Sequence, residues 1–333
     1  MKIAVFGYYN ALNAGDDRIQ YCITKLCEGN TVVFLPHYLP APQEYLRDFD
    51  WILIGGGGLV FERVGIWVNT KQWLRKTRAK VGILGLGVNR VSDELLIELS
   101  YLLERSVFFF VRDEKSKLLL NNHPKIQVHP DLTWCFPFLP SNNQLTIASK
   151  KIAVNLVPCH WKDFEPDKWI VELKKLSDFQ LIPFPFNFNL KKDVDLLKLY
   201  FNNINTQEFS LQPLQDSQII VACRYHAIVF AMQLGKPFIA INYDEKIERL
   251  LRESDLVECG LETTEYELLL EKIDFILNNQ KIVQKKINDY ANLQTQNAKE
   301  LTKSIKNYLL YEPENKNKIM IIKENVKKIL MRV

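Results

Sequence analysis

Short, continuous apolar runs alternate along this chain with stretches in which apolar residues recur every three or four positions. Lys2 to Phe6, Thr31 to Leu35, Trp51 to Ile54, Lys80 to Leu84 and Val107 to Val111 are runs of the first kind. Each reads as a strand buried on both faces. Asp16 to Cys27, with Ile19, Ile23, Leu26 and Cys27 on one face, and Asp93 to Glu104 have helical spacing. The alternation then repeats. Strands are predicted at Ile152 to Val157, Leu181 to Phe184, Gln218 to Ala222 and Pro237 to Ile241. Helices are predicted at Asp167 to Leu176, Lys191 to Phe201 and through Leu234. From Asp244 to about Leu310 the chain reads as mostly helical and charged. Apolar strands interleaved with helices predict parallel sheets covered on both sides.

Length changes this picture: 333 residues exceed what one core usually serves. The pattern predicts an α/β protein of two doubly wound, Rossmann-like domains facing across a cleft, with a helical C-terminal extension. The N-terminal domain is expected over 1–140 and the second over 150–290, joined by a polar linker between Pro137 and Lys150. Helices are expected over 291–333. A net charge of +4 and the lack of an aromatic-studded basic stripe argue against nucleic acid as a partner. The six cysteines form no CxxC or Cys/His cluster, which fits reduced buried thiols and gives no zinc site. The N-terminus reads as a strand rather than a signal peptide, and no apolar run reaches the length of a spanning helix. A cytoplasmic location is the expectation.

Candidate chemistry collects at the carboxyl ends of the predicted strands, where doubly wound folds bind ligands. Ile219-Ile220-Val221-Ala222 runs into Cys223-Arg224-Tyr225-His226-Ala227, which opens a helix. Helix N-terminal amides favour an anion there, and a fixed cation with an imidazole suits anion binding combined with proton transfer. Arg224 and His226 are therefore expected to meet one bound anion. The competing expectation is that Arg224 pairs with a structural carboxylate and His226 caps the helix. After the first strand, Gly7 to Asp17 lacks both GxGxxG and a P-loop. Asp16 and Asp17 suit helix caps there. Gly55-Gly56-Gly57-Gly58 permits close approach of a ligand or of the facing domain. Arg112-Asp113, with Ser116 following, fits an ion pair plus a helix cap, and Asp131 fits a loop cap at another strand end. Asp193-Val194-Asp195 resembles a metal-binding Asp-x-Asp but opens an amphipathic helix, so no metal is assigned. His160 follows a second-domain strand and faces the expected cleft. Lys246, in the first turn of a helix after Tyr243-Asp244, is an unfavourable placement unless it holds an anion.

Together these segments resemble the polysaccharide pyruvyl transferase family. The matching pieces are Gly7-Tyr8-Tyr9 with Asn13-Ala14-Gly15-Asp16-Asp17, Gly55 to Leu59, Gly85-Leu86-Gly87-Val88, Val111 to Ser116, Pro130-Asp131, Cys223 to Ala227, and Gly235-Lys236-Pro237 with Tyr243 to Lys246. They run in order over roughly residues 1–250. The resemblance implies a GT-B-like fold and transfer of a pyruvyl group from phosphoenolpyruvate onto two sugar hydroxyls as a ketal. It implies that Arg224 and His226 contribute to the donor site, and the proton transfers of ketal formation make His226, with Arg224, the expected catalytic residues. Donor binding falls to Arg224, Lys246, Asn155 and His160, and the acceptor to Asn13, Asp16, Gly56, Gly57 and Arg112. Asn155 stands near a place where related enzymes often carry Arg, so the donor anion is expected to be held differently. No metal or cofactor is expected beyond phosphoenolpyruvate as co-substrate. A sugar or lipid-linked saccharide is the expected partner. The alternatives are a GT-B glycosyltransferase using a nucleotide sugar and a non-catalytic saccharide-binding relative.

The last segment, Lys316 to Val333, holds six basic residues against Glu324, with Ile319, Ile322, Val326, Ile329 and Leu330 at helical spacing. It reads as a docked last helix or as an anchor making peripheral contact with the inner face of an anionic membrane.

Overall fold

The computed structural model describes residues 1–36, 43–60, 77–139, 150–158, 163–189 and 192–310. His160, Cys159 and the basic tail 316–333 lie outside the described residues, as does most of the expected linker.

The strands form two sheets. The first holds β1 (Lys2–Gly7), β2 (Thr31–Pro36), β3 (Trp51–Val60), β4 (Lys80–Val88), β5 (Ser106–Val111) and β6 (Ile126–Val128), in the order β2-β1-β3-β4-β5-β6. The second holds β7 (Lys151–Asn155), β8 (Gln180–Pro183), β9 (Ile219–Ala222), β10 (Phe238–Asn242) and β11 (Gly260–Glu262), in the order β11-β10-β9-β7-β8. Every pairing is parallel. Between them run α1 (Ala14–Leu26), α2 (Gln43–Leu46), α3 (Asp93–Arg105), α4 (Glu114–Leu119), α5 (Pro166–Lys174), α6 (Lys192–Lys198), α7 (Gln212–Asp216), α8 (Tyr225–Gln233) and α9 (Glu245–Glu253). Then α10 (Leu269–Asn278) and α11 (Gln280–Leu310) close the described chain. Strand order reverses beside β1 in one sheet and beside β7 in the other. Such switch points open a crevice at the carboxyl ends of the strands.

Burial explains the apolar runs. β5, Ser106–Val111, is buried except at Val107, because helices cover both faces of its sheet. β11 falls in a stretch expected to be helical. The glycine segments also depart from expectation: β3 continues through Gly55–Gly58 and β4 through Gly85–Gly87, rather than ending before them. Gly56 and Gly57 have φ of +83° and +86°, which favours glycine. A Cβ on Gly56 would stand 2.3 Å from Ile19 Cγ2, and one on Gly57 would stand 2.9 Å from Asp16 Oδ1. The space these glycines leave is filled by α1 and not held open.

The halves are sewn together at the strand ends. The loop after β1 bridges the loop after β8, with Ala14 N–H donating to Phe186 O at 2.9 Å and Phe188 N–H to Leu12 O at 2.7 Å. α11 spans both cores: Val283, Ile287 and Ala298 join the core around the second sheet, while Leu301, Ile305 and Leu309 join the face of the first sheet that α1 covers. Among the described residues no helix is long and apolar enough to cross a membrane.

Candidate active site at the junction of the two sheets

Five strand ends deliver the charged residues of the junction. The chain leaves β1 through the loop that ends at Asn13, which caps α1 by accepting from Gly15 N–H at 3.1 Å. Asn13 is the cap, so Asp16 and Asp17 are first-turn acids rather than caps as expected. Arg112 and Asp113 follow β5, Asp131 follows β6, Arg224 follows β9, and Asp244 follows β10.

His226 lies in the first turn of α8 and packs on the first turn of α1 from the other half. A Cβ on Gly15 would stand 2.1 Å from His226 Nδ1. The His226 side chain is 12% exposed, and its Nε2 lies 3.4 Å from Asp131 Oδ2. It makes no helix cap; Arg224 occupies the cap position, and its side chain makes no capping hydrogen bond.

Asp131 is buried. Its Oδ1 accepts from Thr133 N–H at 3.0 Å and from Thr133 Oγ1–H at 2.8 Å. Its Oδ2 also faces Arg112 Nη1 at 3.9 Å. Burial alone would raise this carboxyl, but the charges of His226 and Arg112 with the Thr133 N–H hold it below the usual carboxylate range. Arg112 is buried too. It lies 3.6 Å from Asp113, sits over the Tyr225 ring at 4.8 Å from the centroid, and passes so close to Gly87 that a Cβ there would stand 2.6 Å from its Cζ. Burial and the neighbouring acid Asp17 push Asp16 up to about 6, while His226 and Arg112 partly offset the rise. Asp16 is thus a carboxyl that changes charge near neutral pH.

Arg224 faces a different partner. Its Nε donates to Asp193 Oδ2 at 3.2 Å and its Nη2 to Asp193 Oδ1. Burial opposes the guanidinium charge, but Asp193 more than compensates and raises it. Asp193 is fully buried and also accepts from the N–H groups of Phe186 and Asn187, whereas Asp195 is exposed. The Asp-x-Asp pair therefore does not converge. The structural pairing of Arg224, one of the two expectations, is present. Asn155 is fully buried as well: it donates to Phe184 O at 3.2 Å and accepts from Arg224 N–H at 3.1 Å, so it fixes the Arg224 main chain. Lys246 is paired with Asp244 at 3.1 Å, the cap of its own helix. Burial would raise Asp244, but Lys246 lowers it. Arg249 of α9 reaches Asp113 across the junction at 3.4 Å.

Of the residues expected from sequence, Asp16, Arg112 and His226 come together. Asn13 and the glycines line the α1 side of the same junction. Arg224 shares a helix end with His226 but is turned to Asp193. The sequence alone gives Asp131 as a strand-end loop cap in the Pro130-Asp131 segment and Asp193 as a helix-start acid of an Asp-x-Asp, and foresees neither as the partner of His226 or Arg224. A faint signal for Asp193 is an acid on the face of α6 that also carries Val194 and Leu197 to the core. Among the described residues, no three of His, Cys, Asp and Glu group so as to hold a metal ion.

The fold is shared widely. The chain superposes on UDP-GlcNAc 2-epimerase from Neisseria meningitidis bound to UDP-GlcNAc with a TM-score of 0.57 and 17% identity, covering 92% of this chain and 99% of that one. A UDP-N-acetylglucosamine 2-epimerase gives 0.57 at 11% identity, covering 94% and 97%. An α-glucosyltransferase in complex with UDP and DNA gives 0.51 at 10%, covering 92% and 99%. At such identities the likeness establishes the fold alone, which is GT-B-like. No curated protein matches the chain by sequence. The sequence model of one family, polysaccharide pyruvyl transferase, matches residues 13–245. That span takes in the α1 start, the glycine strands, Arg112, Asp131 and the Arg224–His226 turn, and the chain belongs to the polysaccharide pyruvyl transferase family.

Proposed function

We propose that the protein moves a pyruvyl group from phosphoenolpyruvate onto two hydroxyls of one sugar in a cell-surface polysaccharide or its precursor. The products are a cyclic ketal and inorganic phosphate. One observation carries the reading: within the segment matched by the family, Asp16, near pH 6, and the His226 imidazole come from opposite sheets to one place beside strand-end cations.

The chemistry needs such a place. One sugar hydroxyl adds to the carbon that bears the enol phosphate as a proton is delivered to the methylene carbon, which becomes the methyl group. The second hydroxyl displaces phosphate, and its proton leaves with the phosphate. His226 is the proposed acid and base for these transfers, worth about 10²–10⁴-fold in rate. Arg224 and Lys246 face the donor's phosphate and carboxylate. Arg224 Nη1 makes no hydrogen bond among the described residues, so it retains a donor for one of those oxygens. Asn155 serves the donor side through the Arg224 main chain. Asp16 and Arg112 serve the acceptor side, where Asn13, Gly56 and Gly57 set the position of α1. The scheme uses phosphoenolpyruvate as co-substrate and calls on no further cofactor.

Titration calorimetry with phosphoenolpyruvate and a panel of nucleotide sugars tests the donor. Incubation with phosphoenolpyruvate and lipid-linked or nitrophenyl sugars, read by phosphate release, tests the reaction. Phosphoenolpyruvate binding with phosphate release is expected. Binding of a nucleotide sugar instead would make the chain a glycosyltransferase.

A further inference from the structure

Asp131 uses only one of its oxygens as a cap. Oδ1 takes both Thr133 hydrogen bonds, at 3.0 and 2.8 Å. Oδ2 is left facing His226 Nε2 at 3.4 Å and Arg112 Nη1 at 3.9 Å. Oδ2 and Nε2 are both buried, and neither has another hydrogen-bond partner among the described residues. A buried carboxylate oxygen with an imidazole and a guanidinium before it exceeds what a short 3-10 turn requires. The other ring nitrogen of His226 lies on the Gly15 side, at the start of α1, where the ring takes the place a Cβ would occupy. The remaining charges around the ring are Asp16 from α1 and Arg112 from the end of β5.

We infer that Asp131 is a positioning residue: it holds a proton on His226 Nε2 and so makes Nδ1 the atom that exchanges protons with substrate. The inference rests on the reading of His226 as the acid and base of pyruvyl transfer. The nitrogen that carries the proton in a neutral imidazole is set by the partner of that nitrogen. With Nε2–H turned to Asp131, Nδ1 presents a lone pair toward the α1 start. A sugar hydroxyl proton moves to Nδ1, the imidazolium is stabilised by the Asp131 charge, and no bond to Asp131 forms or breaks. The same placement explains why Gly15 stands where it does, since any side chain there would push the ring out of this position.

Full-length protein labelled with ¹⁵N-histidine tests this directly, with the His226 signals assigned through His226→Gln. At a pH where the imidazole is neutral, ring ¹⁵N shifts and couplings report the tautomer. The Nε2–H form is expected in the wild type. In Asp131→Asn the carboxamide N–H can donate to Nε2 and shift the proton to Nδ1. With phosphoenolpyruvate and an accepted sugar, Asp131→Asn is expected to lower kcat by about 10²–10⁴-fold, with a much smaller change in KM for phosphoenolpyruvate. Its thermal midpoint, read in parallel, separates this loss from unfolding. A wild type in the Nδ1–H form overturns the inference without any variant, and so does an Asp131→Asn protein that keeps both the wild-type tautomer and kcat. The tautomer is read without substrate. A wild type with the Nε2–H form and no phosphate release would therefore sink the pyruvyl-transfer reading while leaving the placement of the proton by Asp131 standing.

Discussion

Gly15 occupies the first turn of α1, where a glycine ordinarily weakens a helix by roughly 1 kcal/mol relative to alanine. Here alanine would put its Cβ 2.1 Å from His226 Nδ1 and 2.5 Å from Cγ, so the whole ring must move. Gly15→Ala is expected to reduce activity and lower the thermal midpoint, against the usual gain from helix propensity. A more stable and fully active variant would remove the close packing of α1 on α8 from the account. Asp16, next in the chain, makes a prediction about pH. Its carboxyl is raised from the ordinary aspartate value to about 6, first by burial. At the acid end of this window it is neutral in both folded and unfolded states. Above the ordinary value, and up to about pH 6, the unfolded chain has released a proton that the folded chain keeps. Stability therefore falls as pH rises through the window and levels off beyond it. Asp16→Asn lacks this loss, so its urea midpoint should gain on the wild type between about pH 4 and pH 6 and keep that gain at pH 7. A difference between the two proteins that stays constant with pH would show that Asp16 ionises normally.

At the scale of elements, α11 carries more of the fold than its charged sequence suggests. Its first half packs with the second sheet through Val283 and Ile287, and its last turns pack on the first sheet through Leu301, Ile305 and Leu309. Tyr308 lies 4.9 Å, ring to ring, from Phe108 of β5. Each buried aliphatic side chain contributes about 1.5–3 kcal/mol on burial. Deleting residues from Lys281 onward should expose both seats, raise binding of an apolar dye and cause aggregation. A truncated protein that stays soluble and fully active would contradict this. The glycine strands teach a related lesson. The four glycines of β3 look like a ligand loop in sequence, yet the strand continues through them so that Ile19 and Asp16 of α1 can approach its backbone.

At the scale of the molecule, two switch points face one another and bring five strand ends to a single junction. Arg249 and Asp113 add an ion pair between the halves at 3.4 Å. The basic tail from Lys316 to Val333 lies outside the described residues. If it anchors the enzyme near lipid-linked acceptors, each basic residue near an anionic surface would add about 1 kcal/mol, weakened by salt. Co-sedimentation with anionic vesicles should then fall, in a salt-sensitive way, for a chain ending at Glu312. Equal partitioning of the two chains would end the anchor idea.

The hydrophobic pattern by itself determined the two α/β halves, the parallel sheets and the helical end. Burial on both faces forces continuous apolar strands, and one-sided burial forces helical spacing, so local sequence suffices for both. Motif order was enough to mark Asp16, Arg112, Arg224 and His226, because strand ends next to helix starts are legible one segment at a time. Pairing across the molecule was decided only by the tertiary structure. Asp193 holds Arg224 across a separation of 31 residues, and Asp131 faces His226 across one of 95. Nothing local distinguishes a carboxylate that caps a turn from one that also holds an imidazole, since the difference lies in which distant charge folding sets beside it.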